Sequence, residues 1–350
     1  MSTVERFGMA DRQIFAFPWL RAVLVIVAAC MLGACGLLLT PIAALTPYEN
    51  GVLNDPENFR DPFTRAIADE FGIMALFAHV AYRRDLDGNG GCAYLENGKD
   101  DYYGMPTSAD GTGRWMRWKG TNGCVDDPDR GLFYETYVFR DQNGPPKEAV
   151  IAFRGTENTK GQFLRDWKAN LSALFGVEPA QYGLAREKLP DVIEGLRYEN
   201  SQVVIHAVGH SLGGGLAQQA GYQFAEVDRV VTFNTSPVTN WTQLKFDSAV
   251  RNRYPLIYRI YHGGEILEKV RFITTSFTAT RFNRYDLSLQ FRRKSSVPGH
   301  SMDIVACTLA RILGETPGTG DAGHHYGREY IRKEVLGSSI CPENPSARNE

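Results

Sequence analysis

The stretch of sequence that decides the fold is residues 203–215, which read Val-Val-Ile-His-Ala-Val-Gly-His-Ser-Leu-Gly-Gly-Gly. Its first part is an apolar run typical of a buried strand, and apolar residues at helical spacing follow from Leu212 to Phe224. Gly209 to Gly213 fit GxSxG, a strained turn between a strand and a helix that exposes a serine. Small residues are needed around Ser211 because neighbouring chain passes close to such a turn. The placement predicts Ser211 as a nucleophile at a helix N-terminus, whose partial positive charge favours an anion.

Strand and helix patterns alternate on both sides of this stretch. Upstream, a long amphipathic helix begins at Asp61-Pro62, and Leu132–Arg140 and Ala149–Phe153 have the patterns of two strands in a hairpin. Downstream, Val230–Phe233 and Leu256–Tyr261 are further strand candidates. Strands that alternate with helices of about 10 to 15 residues indicate βαβ units. The sequence therefore predicts the α/β class, with a mostly parallel central sheet flanked by helices on both faces.

Ser211 needs a general base, because a serine hydroxyl is a weak nucleophile near neutral pH. In folds with this turn the chain order is serine, acid, histidine, so the base lies downstream and His210 is excluded. His300 is the preferred base, since it lies on a loop just before a predicted helix. His324 and His325, in a later polar segment, are the alternative bases.

The acid and the oxyanion donors complete the predicted site. Glu265 directly follows a predicted strand that ends at His262 and is the preferred acid, and Asp247, in a polar loop before that strand, is the second candidate. An oxyanion needs two backbone N–H donors, one of them from the residue after the nucleophile, here Leu212. The glycine turn within Ala152–Glu157, at the end of a buried strand, is expected to supply the other.

Composition excludes two broad classes of protein. The 350 residues contain 38 Lys and Arg against 40 Asp and Glu, so the chain has no positive field that would hold nucleic acid, and nucleic-acid binding is not expected. A mean hydropathy of -0.28 excludes a protein with many membrane spans. At most one span is compatible with these values.

The N-terminus contains a candidate for that single span. Residues 22–39 are apolar and uncharged, about the length that crosses a bilayer, and three arginines lie on the N-terminal side. Leu32-Gly33-Ala34-Cys35 resembles the bacterial lipobox, in which the cysteine is lipidated; an uncleaved anchor, or cleavage near Ala43-Ala44, is the alternative. We therefore expect residues 1–45 to be a signal or anchor segment, and residues 46–350 to be an exported, membrane-tethered domain of the bacterial cell envelope.

Cysteine usage agrees with export. If Cys30 belongs to the signal segment and Cys35 is lipidated, four of the six cysteines remain. An even number in an exported chain suggests two disulfides, for which three connectivities are possible. Neighbourhood in sequence favours two pairs, Cys92 with Cys124 and Cys307 with Cys341. The first pair would staple a region at about 88–131 that is rich in Gly, Asp and Asn and is predicted to be built of loops.

Four motifs together resemble the class 3 lipases of the α/β-hydrolase fold, which include fungal triacylglycerol lipases and bacterial relatives. The resemblance covers roughly residues 63–311. The motifs are Phe153-Arg154-Gly155-Thr156, Asp166-Trp167, the segment 209–214, and Thr232-Phe233-Asn234-Thr235-Ser236-Pro237-Val238.

The resemblance implies roles for individual residues. It implies that the N–H groups of Thr156 and Leu212 form the oxyanion hole, and that acyl esters are hydrolysed through an acyl-enzyme on Ser211, with no cofactor and no metal. Where the family has Asp-x-Val/Ile after the penultimate strand, this chain has Glu265-Ile266-Leu267. The predicted triad is therefore Ser211, Glu265 and His300.

Two weaker patterns bear on ligands. The string Asp85–Glu96 fits a calcium-binding EF-hand loop, but no exiting helix follows, so a polar turn is the simpler interpretation and calcium binding stays open. Between Lys269 and Lys294 there are seven basic residues against one acidic residue, Asp286. A basic surface favours anionic phospholipid headgroups, at about 1 kcal/mol for each charge near a membrane.

The expected function is hydrolysis of lipid acyl esters by a lipase, phospholipase or esterase close to a membrane surface. An acyltransferase of the same fold is one alternative. A non-catalytic envelope lipoprotein that binds lipid or a partner is another, although the glycine-rich turn around Ser211 has no evident use in a binding protein.

Overall fold

A nine-stranded sheet lies at the centre of the part of the chain that the computed structural model describes: residues 43–45, 59–82, 92, 113–141, 144–155, 179–236, 238, 255–265, 267, 284–291, 300–315 and 341. The strands are β1 (Ala43–Leu45), β2 (Gly113–Arg117), β3 (Cys124–Asp127), β4 (Leu132–Asp141), β5 (Glu148–Phe153), β6 (Val204–His210), β7 (Val227–Phe233), β8 (Leu256–His262) and β9 (Arg284–Leu289). The helices are α1 (Pro62–Val80), α2 (Ala180–Glu199), α3 (Leu212–Gln223) and α4 (Met302–Glu315).

Most of the sheet is parallel. The strand order is β1-β9-β8-β7-β6-β5-β4-β2, and every pair from β1 to β5 in this order is parallel. Antiparallel pairing joins β4 to β5, and both β2 and β3 to the other edge of β4. The predicted hairpin of β4 and β5 and the predicted parallel sheet are thus confirmed. Parallel strands end at the same edge of a sheet. The residues that directly follow strands β5 to β9 therefore all lie at that one edge.

Helices cover both faces of the sheet. Val150 and Ala152 of β5 belong to one hydrophobic cluster with α1 and α4, whereas Ile151 and Phe153 belong to a second cluster with α2 and α3. Successive side chains of a strand point to opposite faces, so the two helix pairs lie on opposite sides of the sheet. This confirms the predicted layers and explains why β5 is apolar from Ala149 to Phe153.

Helix α1 begins where the sequence predicts. The Asp61 side chain accepts a hydrogen bond from the Thr64 N–H at 2.8 Å, and Pro62 occupies the first helical position, where its missing N–H costs nothing. After Val80 a turn closes with a bond of 2.9 Å from the Tyr82 N–H to the His79 carbonyl. That turn places Tyr82 beside the ends of β5 and β6.

The prediction that residues 88–131 are built of loops is wrong for two segments. Strands β2 and β3 follow one another along the outer edge of β4, and the loop 118–123 separates them opposite Thr136. The Thr136 carbonyl accepts from the Trp118 N–H at 2.8 Å, and the Thr136 N–H donates to the Gly123 carbonyl at 2.7 Å. Pairing with a long neighbouring strand outweighs a polar, glycine-rich local composition, because strand formation depends strongly on context. Of residues 88–112, only Cys92 is among those described.

Two disulfides join the four predicted cysteines in the predicted pairs. Cys92 is bonded to Cys124, which lies in β3, and Cys307 of α4 is bonded to Cys341. The pairs are 32 and 34 residues apart in sequence. Each therefore closes a loop long enough to restrict the unfolded chain substantially.

Removing the second disulfide is expected to destabilise the oxidised protein. For a loop of this length the chain-entropy model gives about 3 to 4 kcal/mol, so the double variant Cys307→Ser and Cys341→Ser should unfold at a lower temperature than the wild type. Thermal unfolding followed by circular dichroism measures the difference. The same scan in reductant is the control, because the difference between the two proteins should shrink once the wild-type disulfides are open. An equal Tm for both proteins under oxidising conditions would contradict the expectation.

No helix among the described residues is long and apolar enough to cross a membrane. The predicted span at 22–39, the lipidation candidate Cys35 and most of the Asp85–Glu96 string lie outside those residues. Within the described part of the chain, no group of three or more His, Cys, Asp or Glu side chains could hold a metal ion.

Candidate active site

The turn between β6 and α3 holds Ser211 in a strained conformation. Its backbone has φ 55° and ψ -124°, a left-handed region that residues with a side chain rarely adopt. Three hydrogen bonds fix it: its N–H donates to the Phe233 carbonyl at 3.1 Å, and its carbonyl accepts from Gly214 at 3.0 Å and Ser236 at 2.9 Å. Hydrogen bonds to the end of β7, to the residues after it and to the start of α3 thus keep Ser211 in its strained conformation. Strain of this kind is expected of a residue placed for chemistry rather than for stability.

Glycines allow the chain to close around this turn. A Cβ at Gly209 would lie 2.3 Å from the carbonyl oxygen of Gly213, and a Cβ at Gly213 would lie 2.3 Å from the carbonyl oxygen of Phe153. Both clashes are with backbone, which cannot move aside as a flexible side chain could. The predicted reason for glycine at these positions is therefore confirmed, and with the parallel sheet it makes the fold that of an α/β-hydrolase.

Three predicted side chains meet at the carboxyl ends of the strands. His300 Nε2 lies 3.0 Å from Ser211 Oγ, and His300 Nδ1 lies 2.8 Å from Glu265 Oε2. All three residues are buried, with exposed fractions of 8% for His300, 2% for Ser211 and 3% for Glu265. Nε2 and Nδ1 are the two nitrogens of one ring, so the three side chains form a single line of hydrogen bonds.

Glu265 reaches this line through a tight turn after β8. Gly264 has φ +79°, and the Glu265 N–H donates to the His262 carbonyl at 3.1 Å. Its Oε2 also accepts from the Leu267 N–H at 2.9 Å. Because a carboxylate can only accept, His300 donates from Nδ1, which leaves Nε2 as the acceptor for the serine hydroxyl. This is the tautomer that a base for Ser211 requires.

Asp286, a buried acid of the sheet, is already paired. Asp286 of β9 and Arg259 of β8 form a buried ion pair, with Arg259 Nη2 at 2.6 Å from Asp286 Oδ2. The geometry thus gives Asp286 a structural partner. Asp247, the second candidate acid, lies outside the described residues.

The predicted oxyanion donors are described only in part. Leu212 is the first residue of α3, directly after Ser211. A Cβ at Gly155 would lie 3.1 Å from Ser211 Cβ, so the chain after β5 passes beside the nucleophile just before Thr156. Thr156 itself and the alternative bases His324 and His325 lie outside the described residues. The catalytic roles of these residues stay predictions.

Two residues behind the turn were not expected from sequence to touch the site. The Tyr82 hydroxyl lies 2.8 Å from His210 Nδ1, and the His210 ring packs against that of His300 with centroids 4.9 Å apart. Burial, and then the nearby His300, lower the pKa of His210 to about 3, so His210 is neutral at ordinary pH. Tyr82 and His210 are 128 residues apart, and no local pattern connects them.

Comparison with known sequences assigns the chain to a family. The profile of the Tle-like phospholipase domain, described as phospholipase-like, matches residues 108–303, which is more than half of the 350 residues. The chain belongs to the Tle-like phospholipase family. The matched part of this Tle-like protein contains Ser211, Glu265, His300 and Asp247, and it ends before His324 and His325. The narrower resemblance to class 3 lipases stays a prediction.

Several solved structures are remotely similar to this Tle-like chain. A mutant of MDLA from Penicillium cyclopium is 14% identical, with 60% of this chain and 76% of that chain covered and a TM-score of 0.35. Lip2 lipase from Yarrowia lipolytica is 15% identical (61% and 77% covered, TM-score 0.34), and lipase II from Rhizopus niveus is 18% identical (61% and 77% covered, TM-score 0.32). None of the curated proteins matches significantly in sequence. Because these TM-scores are low, the fold is assigned from the parallel sheet and the turn at Ser211. The fold and the family membership together identify the protein as a lipase-like α/β-hydrolase.

Proposed function

We propose that this protein hydrolyses acyl ester bonds of phospholipids through a covalent acyl-enzyme on Ser211. The observation that carries the proposal is the unbroken line from Ser211 Oγ to His300 Nε2, at 3.0 Å, and from His300 Nδ1 to Glu265 Oε2, at 2.8 Å. The line begins at a strained, buried turn, and strain of this kind is concentrated at functional sites. Membership of a phospholipase-like family supports phospholipid as the ester.

The first half of the reaction transfers the acyl group to the enzyme. Ser211 Oγ attacks the ester carbonyl carbon while His300 Nε2 takes the hydroxyl proton, and Glu265 stabilises the imidazolium that results. The bond from the carbonyl carbon to the alcohol oxygen then breaks, and His300 returns its proton to that oxygen. The products of this half are the lysophospholipid and an ester of Ser211.

The second half regenerates the serine. Water attacks the acyl carbon, His300 takes one of its protons, and the bond to Ser211 Oγ breaks as that proton passes to the serine. A fatty acid is released. In both halves the developing oxyanion lies where the N–H of Leu212, at the positive end of α3, and the N–H of Thr156 are proposed to donate.

Charge and the N-terminal segment support a proposed substrate and a proposed location. The excess of basic residues between Lys269 and Lys294 supports a headgroup that carries phosphate. The apolar segment 22–39, with arginines before it, supports an exported protein held at a membrane surface, by a lipidated Cys35 or by an uncleaved anchor. We propose that the lipids of that membrane are the substrate.

Product analysis tests the function. The full-length protein is mixed with vesicles of phosphatidylcholine, with vesicles that also contain phosphatidylglycerol, and with a triacylglycerol emulsion, and the released lipids are identified by mass spectrometry. Release of fatty acid and lysophospholipid, fastest from the anionic vesicles, is the expected result, with Ser211→Ala as the blank. Transfer of the acyl chain to an added lysolipid without free fatty acid would instead identify an acyltransferase. No turnover, together with no labelling of Ser211 by a fluorophosphonate, would overturn the proposal.

A further inference from the structure

A chain of hydrogen bonds lies behind the Ser211 turn and joins three parts of the site. The Gly155 N–H donates to the Tyr82 hydroxyl oxygen at 3.0 Å, and that hydroxyl lies 2.8 Å from His210 Nδ1. His210 Nε2 lies 2.6 Å from the backbone carbonyl oxygen of His300. Since a carbonyl can only accept, Nε2 carries the proton and Nδ1 accepts from Tyr82. The donors therefore run in one direction, from the Gly155 amide to the His300 carbonyl.

Both ends of this chain belong to segments that the proposed reaction uses. Gly155 is the residue before Thr156, the proposed oxyanion donor, and His300 is the proposed base. Glu265 holds the ring of His300 through Nδ1, whereas His210 holds its backbone. The two contacts restrict different degrees of freedom of the same residue.

The contacts are close and fixed. A Cβ at Gly155 would lie 2.3 Å from the Tyr82 hydroxyl oxygen and 2.6 Å from the His210 carbonyl oxygen. The absence of a side chain at Gly155 therefore leaves room for the Tyr82 hydroxyl. The hydroxyl is also 3.2 Å from that carbonyl oxygen. His210 is 6% exposed, and its lowered pKa keeps it in the neutral form that the donor pattern needs.

We propose that Tyr82 and His210 are positioning residues, which hold the backbone of His300 and the chain at Gly155 in place around Ser211. Their effect is to keep His300 Nε2 within hydrogen-bond distance of Ser211 Oγ while the oxyanion segment stays beside the nucleophile. Neither side chain contacts substrate in this role. The inference rests on the proposed serine hydrolase mechanism, and it adds two residues to that mechanism.

Removing the tyrosine hydroxyl tests the first link. Tyr82→Phe should lower kcat about tenfold, the effect of one net hydrogen bond, with KM changed less than about twofold. The rate at which a fluorophosphonate labels Ser211 should fall by the same factor. Tyr222→Phe is the matched control, because it also removes a buried hydroxyl, one with no hydrogen-bond partner among the described residues. It should leave kcat and the labelling rate unchanged.

Two replacements of His210 test the second link. Glutamine can place an amide N–H near the position of Nε2 and so can still donate to the His300 carbonyl, whereas asparagine is too short to reach it. We expect His210→Gln to keep a kcat at least about tenfold above that of His210→Asn. This comparison stays informative if Tyr82→Phe folds poorly.

The outcomes separate this inference from the function on which it rests. Wild-type protein that hydrolyses phospholipid, with Tyr82→Phe as active as Tyr222→Phe or with His210→Asn equal to His210→Gln, would overturn the positioning role alone. A fall of apparent kcat in proportion to a lowered Tm in all four variants, the Tyr222→Phe control included, would also overturn it, because it would reveal a general loss of stability. Wild-type protein that fails to react with the fluorophosphonate would overturn the proposed function, and the inference with it.

Discussion

Replacing Ser211 with alanine is expected to lower kcat for a phospholipid ester by about one million-fold. The variant loses the nucleophile, so water must attack the ester directly, and only substrate binding and the oxyanion donors remain to help it. A residual acceleration of about 1000-fold over water is typical of such variants. The measurement is the rate of fatty acid release from vesicles by mass spectrometry, at enzyme concentrations high enough to detect a single turnover.

The geometry predicts that this loss is not additive with loss of the base. In the proposed mechanism Ser211 and His300 act as one unit through their contact of 3.0 Å, so His300→Ala and the double variant should both be about as slow as Ser211→Ala. Tyr222→Phe serves as the folded, active control. A double variant slower than the wild type by the product of the two single effects would contradict a shared role, and so would an alanine variant that keeps more than about a hundredth of the wild-type kcat.

Glu265→Gln is expected to lower kcat by about 1000-fold while leaving the fold intact. Oε2 accepts from both His300 Nδ1 and the Leu267 N–H, so the amide oxygen of glutamine can take that position and keep both bonds. What is lost is the negative charge that stabilises the imidazolium. Two unit charges about 4 Å apart interact by about 4 kcal/mol at an effective dielectric of 20, which corresponds to a factor of about 1000 in rate. The pre-steady-state rate of acyl-enzyme formation measures this effect directly.

Two further variants distinguish the acid from its competitor. Glu265→Ala should be slower than Glu265→Gln, because it removes the orienting bond as well as the charge. Asp247→Asn should stay within about a factor of three of the wild type. The assignment of Glu265 would be wrong if Asp247→Asn were the inactive variant and Glu265→Gln the active one.

Sequence predicted the turn at the centre of the candidate site because the determinants of that turn are local. The strand, the turn and the helix around Ser211 lie within about 20 consecutive residues, and close backbone packing there leaves glycine as the workable choice at positions 209 and 213. Glu265 and His300 are distant in sequence, but chain order and the parallel sheet restrict them to the ends of later strands. The structure places both beside Ser211.

The parts that sequence missed depend on contacts between distant segments. Nothing near Tyr82 indicates that its hydroxyl lies between Gly155 and His210, because that placement results from the packing of α1 on the sheet. Strands β2 and β3 were missed for a similar reason: their residues have little strand pattern, and only the free edge of β4 makes them extended. Contacts between distant segments decide both the position of Tyr82 and the formation of β2 and β3, and local composition does not indicate these contacts.

The parallel pairing of β1 with β9 constrains the order in which the chain can fold. Ala43 lies opposite Tyr285, so about 240 residues must be made before that edge of the sheet can close. At synthesis rates of about 5 to 20 residues per second the wait is tens of seconds, and pairing over such a separation is slow. Ser211, Glu265 and His300 also come together only after most of the chain has emerged. A nascent chain therefore has no assembled candidate site, and the proposed hydrolysis would begin only when folding is nearly complete.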